Sequence, residues 1–136
     1  MRRVCTRAAL QELLYEAIPV PTSSVVLRRA ALSNVGGFES AVRVAEDWDL
    51  WLRLAASGES LICEPSAVVR YRRRPGGLTT DVAGLARCQL ELHRAHGDLV
   101  SATVRARALD ADAAALRSAT RGGLRALLPK RDPYRR

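Results

Sequence analysis

The chain has 136 residues, is 48% hydrophobic and carries a formal net charge of +8, nearly all of its base being arginine. That length supports one domain with a modest core and excludes two independent ones. No run of about 18 apolar residues occurs, so a spanning helix is excluded, and the basic start Met1-Arg2-Arg3 lacks the apolar stretch of a signal peptide.

In chain order, Arg7 to Ala17 is predicted to be a helix. Leu10, Leu13, Leu14 and Ala17 recur three and four apart, Thr6 is placed to cap it, and Pro19 and Pro21 stop it. Ser23 to Leu27 is short and β-branched and reads as a strand. Arg28 to Asn34 reads as a helical turn closed by Gly36-Gly37. Glu46 to Ala56 is predicted to be the second clear helix, with acids at its start to complement the dipole. Leu50, Trp51 and Leu54 form its apolar stripe, Asp49 and Arg53 are spaced for a surface ion pair, and Gly58 ends it.

Leu61 to Cys63 and Ala67 to Arg72 read as strands on either side of the turn Glu64-Pro65-Ser66. Asp81 to His96 is predicted to be a helix capped by Thr80 or Asp81 and broken by Gly97. A longer helix is expected from Asp98 to Ser118. Its seam of Leu99, Ala102, Ala106, Leu109, Ala113 and Leu116 is heptad-like but alanine-rich, so it is expected to pack on the domain. Gly122-Gly123 opens a basic tail. The organisation expected is thus a main unit over residues 1–97, a C-terminal helix over 98–120 and a disordered tail over 121–136.

The chemistry concentrates between Gly36 and Arg53. Gly36-Gly37-Phe38-Glu39 is followed by Glu46-Asp47-Trp48-Asp49, and both tryptophans of the chain, Trp48 and Trp51, fall here. Two glycines free the backbone, a carboxylate can take a proton from a hydroxyl, and an aromatic face can pack on the apolar face of a pyranose. Residue types and spacing therefore point to a sugar-handling site. The bland alternative is a helix start whose acids only answer the dipole.

Other constellations carry less. Asp47-Trp48-Asp49 opens a helix and Asp110-Ala111-Asp112 lies mid-helix, where side chains two apart diverge; neither makes a good Mg²⁺ or Mn²⁺ site. His93 and His96 lack an evident third ligand and read as a surface pair. Ser23 and Ser24 lack a partnered His. Cys5, Cys63 and Cys88 are odd in number and far apart, as expected of reduced thiols in the cytoplasm.

The segment from about Ile18 to Thr80 resembles the acceptor-side half of a family 2 glycosyltransferase of the GT-A fold. The residues that carry the resemblance are Pro21-Thr22-Ser23-Ser24-Val25-Val26-Leu27-Arg28-Arg29, Gly36-Gly37-Phe38-Glu39, Glu46-Asp47-Trp48-Asp49-Leu50-Trp51-Leu52-Arg53, Gly58, Pro65 and Tyr71-Arg72, in that order. The resemblance implies an α/β fold, here an incomplete sandwich of a few mixed strands flanked by helices. It implies Asp47 as catalytic base for inverting transfer from a nucleotide sugar to a hydroxyl acceptor. Glu46, Trp48, Gly36, Gly37 and Phe38 would then form the acceptor site. Arg72 and Arg74 are implied as diphosphate-binding candidates, Arg74 standing where the family commonly has His.

The complete family enzyme is expected to use Mg²⁺ or Mn²⁺ through an Asp-x-Asp that follows a strand, and this chain has no such ligand motif. The donor-binding half is also missing. The expected partners are therefore a sugar acceptor and, only with a complementary half, a nucleotide-sugar donor. The chain reads as a fragment, a split partner or a remnant of an enzyme of the kind that builds cell-envelope polysaccharide, with negligible activity alone. The expected location is cytoplasmic, with peripheral contact to the inner membrane face through the basic tail. Two rival readings are a small basic module for nucleic acid or anionic lipid, and a structural partner of a separate donor-binding chain. The first explains the charge of +8 but none of the ordered motifs, and no helix-turn-helix or aromatic-interleaved basic strand supports it.

Overall fold

The computed structural model describes residues 3–4, 6–17, 20–42, 44–63, 69 and 81–120. Helix α1 (Arg7–Glu16) starts where the Thr6 hydroxyl accepts a hydrogen bond from Ala9 N at 3.3 Å, as the capping preference requires. Helix α2 (Arg29–Asn34) closes with Gly36 and Gly37 at φ +79° and +75°. Gly37 N reaches back to Leu32 O at 3.0 Å and Gly36 N to Ser33 O at 3.1 Å, a left-handed helix ending that suits glycine. Helix α3 (Glu46–Ala56) ends in the same way, with Gly58 at φ +91° and Glu59 N bonded to Leu54 O at 3.1 Å.

Helix α4 (Val82–Ala95) is capped by Asp81, whose side chain accepts from Gly84 N at 2.9 Å. A 3₁₀ turn at Gly97–Leu99 separates it from helix α5 (Ala102–Thr120). Helix α1 packs on α3, and α4 packs on α5. The core gathers Leu10, Leu14 and Tyr15 of α1, Ala31 of α2, Leu92 of α4, and six residues of α3.

Helix α3 is the centre of the molecule. The expected stripe of Leu50, Trp51 and Leu54 is buried, but so are Trp48, Asp49, Leu52 and Ala55. A helix covered on most of its circumference lies inside rather than on a surface. Full burial of a side chain such as Leu52, at 0% exposure, contributes about 1.5–3 kcal/mol.

The expected α/β sandwich is not found. The described residues form five α-helices and one ribbon of two very short antiparallel strands, β1 (Arg3–Val4) and β2 (Ile62–Cys63). Ser23 and Ser24, expected to open a strand, instead belong to a 3₁₀ turn over Thr22–Ser24 in which Ser24 Oγ donates to Pro21 O at 2.7 Å. Val25 to Leu27 lies outside any strand, and Val26 is fully exposed. β-Branched residues favour extension, but a strand also needs neighbours to complete a ladder. The strand expected at Ala67–Arg72 and the tail from residue 121 lie outside the described residues.

Helix α5 departs from its expected seam as well. Leu109, Ala113 and Leu116 of that seam are half-buried and Leu99, in the preceding turn, packs on the core, but Ala102 and Ala106 are exposed and Val104, Ala108 and Asp112 face inward instead. Alanine spacing set the expected phase, whereas the observed phase follows a buried contact of Asp112.

Ala45, just before α3, has φ +60°, and no side-chain cap supports it. A residue with a Cβ is disfavoured there. Ala45→Gly is therefore expected to raise stability by about 0.5–1 kcal/mol after the greater unfolded-state freedom of glycine is deducted. A chemical denaturation midpoint checks this.

Candidate functional site

Three local features place the acidic motif. The Gly36-Gly37 turn ends α2, the left-handed Ala45 sets the entry to α3, and the first turn of α3 carries its side chains from solvent round to the core. Glu46 is exposed and Asp47 is half-buried, whereas Trp48 and Asp49 are buried. A Cβ added at Gly36 or Gly37 would meet nothing within 4 Å, so these positions need glycine for backbone conformation and not for space. Phe38 is 52% exposed beside them, and Glu39 orders the loop by accepting from Ala41 N at 3.1 Å.

Asp47 is held by two donors. Thr22 Oγ1 donates to Oδ2 at 2.6 Å, and Trp48 N donates to Oδ1 at 2.8 Å. No cation pairs with it among the described residues. A carboxylate with four lone-pair directions and two such donors keeps acceptor capacity for an incoming hydroxyl.

Trp48 lies in the core at 2% exposure, not on a wall open to solvent. Its Nε1 donates to Leu14 O at 2.5 Å, and its ring meets the edge of His93 at 5.1 Å. Its observed contacts thus lock α3 against α1 and α4. Arg72 and Arg74 lie outside the described residues.

The Asp49–Arg53 pair forms, but inside rather than on the surface. Arg53 Nε donates to Asp49 Oδ2 at 2.8 Å, and Arg53 Nη1 donates to Val35 O at 2.6 Å. Since Val35 precedes Gly36, this arginine ties the glycine turn to α3. The other Asp49 oxygen lies 2.9 Å from His96 Nε2, which adds the end of α4 to the same hub. Sequence reasoning missed Thr22 and Asp49 as positioning groups. Both stood in quoted motifs, but the fold alone shows what they touch.

The histidines are not the expected surface pair. His93 is 2% exposed, with Nδ1 2.5 Å from Asp112 Oδ2 and Nε2 2.5 Å from Tyr15 O. Tyr15 Oη donates back to His93 O at 2.6 Å. Burial pushes the Tyr15 phenol above its ordinary value of 10.0, with Arg105 opposing and Asp112 adding to the rise. A group raised on folding contributes stability that is complete below its unfolded value and is lost as pH climbs through the folded one. Stability is therefore expected to fall above about pH 10, and Tyr15→Phe removes that fall at a cost of about 1 kcal/mol for the lost bond. Denaturation midpoints across alkaline pH check both.

An apolar cavity of about 470 Å³ lies elsewhere, between α1, α3, Val20–Arg28 and Glu59–Ile62. Glu59 at its rim is paired with Arg28 at 2.5 Å, and Asp47 does not line it.

Among the described residues no cluster of three or more His, Cys, Asp or Glu is arranged to hold a metal ion. Asp49 is committed to Arg53 and His96, and Asp112 to His93. These residues do not fit a Mg²⁺ or Mn²⁺ site. No described helix is long and apolar enough to cross a membrane.

The order of the glycine and acidic motifs is the one that resembles a family 2 glycosyltransferase. The model of the Glycosyltransferase like family 2 matches residues 4–105, and the chain belongs to that family. Two curated relatives are more particular. The pre-mycofactocin glycosyltransferases of Mycobacterium tuberculosis strains CDC 1551 / Oshkosh and ATCC 25618 / H37Rv are each 40% identical over 55 residues. That stretch is 40% of this chain and 12% of each relative. No solved structure gives a significant match.

Proposed function

We propose that the chain is the acceptor-side portion of an inverting, nucleotide-sugar-dependent glycosyltransferase in which Asp47 is the general base. The carrying observation is the Asp47 carboxylate, half-exposed at the start of α3, oriented by Thr22 at 2.6 Å and unpaired with any cation among the described residues. In the reaction, Asp47 takes the proton of the acceptor hydroxyl while that oxygen bonds to the anomeric carbon. The bond to the nucleotide diphosphate breaks on the opposite face, and the diphosphate leaves with the electron pair. The carbon passes through an oxocarbenium-like state, as in other glycosyl transfers.

Glu46, exposed beside Asp47, orients the acceptor. Phe38 offers a ring to a sugar face, and the Gly36-Gly37 turn lets the acceptor approach the backbone. Trp48 serves by anchoring α3 rather than by touching the acceptor. Stabilising the departing diphosphate falls chiefly to the donor-binding part, with Arg72 and Arg74 as this chain's candidates for a contact to it.

Several arginines of the described residues are engaged within the fold, which supports this reading over a basic binding module. Arg7 donates to Ala56 O at 2.6 Å, Arg28 pairs with Glu59, Arg53 with Asp49 and Arg107 with Glu16. The test is complementation: the chain is mixed with a polypeptide carrying the donor-binding part of a family 2 enzyme, and sugar transfer is followed. Transfer that requires both components and fails with Asp47→Asn is expected. Transfer indifferent to the carboxylate at 47 would remove the assignment.

A further inference from the structure

We propose that the acceptor hydroxyl is carried on an uncharged apolar body, and that this body seats in the cavity between α1, α3 and Val20–Arg28 with its hydroxyl at Asp47. The inference rests on the reading of Asp47 as the base and names the class of acceptor that site takes.

Asp47 does not line the cavity, but two of the cavity's walls run to it. On α3, Asp47 and Trp51 are four residues apart, so they share a face with their Cβ atoms about 5–6 Å apart. Leu54 and Ala55 continue that face, and Trp51, Leu54 and Ala55 all line the cavity. The base therefore stands one helical turn before the first cavity residue of α3. The other wall is the segment that holds the base. Thr22, whose hydroxyl donates to Asp47 at 2.6 Å, lies between Val20 and Val25, and both valines line the cavity. Val25 N donates to Thr22 O at 3.2 Å. The carboxylate and the residue that orients it thus stand beside the same apolar space.

The lining decides what fits. Leu10, Leu14, Leu27, Ala31 and Trp51 present hydrocarbon and indole surface around about 470 Å³, the size of a small-molecule pocket. A saccharide has a hydroxyl on most of its carbons and would lose its hydrogen bonds to water there without replacement. The rim does not call for an anion, because Arg28 is paired with Glu59 at 2.5 Å. Trp51 is 7% exposed, and its Nε1 has no hydrogen-bond partner among the described residues. A buried donor left unpaired is rare, and here it leaves a place in this wall for an oxygen of the ligand.

The test is a titration of the nitrogen-15-labelled chain by itself, read through amide and indole N–H chemical shifts, with 4-phenyl-1-butanol and with cellotriose. The alcohol is expected to saturate with a Kd below about 1 mM. It should move the signals of Ala31, Leu54 and the Trp51 indole N–H together with those of Thr22 and Asp47. Cellotriose at the same concentrations is expected to move neither set. Val25→Trp fills the cavity and is expected to weaken binding of the alcohol by about tenfold or more. The proposal is overturned by absence of saturation, by shifts confined to the cavity while Thr22 and Asp47 stay still, or by cellotriose shifting Thr22 and Asp47. Unchanged affinity in folded V25W overturns it too; if V25W does not fold, the wild-type titration decides. These readouts stand apart from complementation. Asp47-dependent transfer without binding of the alcohol defeats this inference alone, whereas binding of the alcohol beside transfer indifferent to Asp47 defeats the reading of the base.

Discussion

Replacing Trp48 by alanine is expected to cost about 3–5 kcal/mol of stability, enough to unfold much of a small domain. The indole is 2% exposed, donates to Leu14 O at 2.5 Å and stands edge-on to His93 at 5.1 Å. Its removal opens a cavity where α1, α3 and α4 meet, and leaves the Leu14 carbonyl without its donor. Trp48→Phe keeps most of the ring volume and loses the N–H bond, so it is expected to cost about 1–2 kcal/mol, chiefly for that bond. Urea denaturation followed by far-ultraviolet circular dichroism measures both. A Trp48→Ala chain with an unchanged midpoint would mean that the indole is not the keystone of the core and would return it to the acceptor site.

The second large effect is on chemistry. Asp47→Asn is expected to lower transfer by about 10²–10⁴-fold in the complemented enzyme, the usual contribution of a positioned general base. The fold is expected to survive, because Asp47 is half-exposed and the amide oxygen of the replacement still accepts from Thr22. The loss should fall on kcat at least as much as on KM, since proton removal occurs in the transition state. Equal kcat in the two proteins would exclude Asp47 as the base.

Much of the local structure was legible in the sequence because local chemistry decides it. Thr6 announced the start of α1, Gly58 the end of α3, and the pair Thr80-Asp81 the start of α4, where Asp81 is the residue that caps. The helix expected from Glu46 to Ala56 has those bounds in the structure. What could not be seen was which neighbours each segment would find. Pro21-Thr22-Ser23-Ser24 has strand-like residues on its C-terminal side, but a hydroxyl bond to Pro21 O turns it instead. The α/β class followed from the resemblance and from β-branched runs, and the described residues are helical with one short ribbon.

The site was legible as a motif and opaque as a geometry. Asp47, Gly36 and Gly37 stand out by type and spacing. The direction of Trp48 is set by helical phase against the core, and one residue of phase separates a sugar-facing ring from a buried one. His93 and Asp112 lie 19 residues apart on two helices. Nothing local marks them as partners; a polar residue facing the inner side of an alanine-rich helix is the only hint, and it becomes one only after the phase is known.

The central claim is that Asp47 awaits a leaving group held by another part of the enzyme. Its most direct test is a glycosyl-transfer assay of the purified chain with several nucleotide sugars, a hydroxyl acceptor and Mn²⁺. The expected result is transfer no faster than in the absence of protein, with activity appearing only when the donor-binding part is added. Efficient, saturable turnover by the chain alone would contradict it.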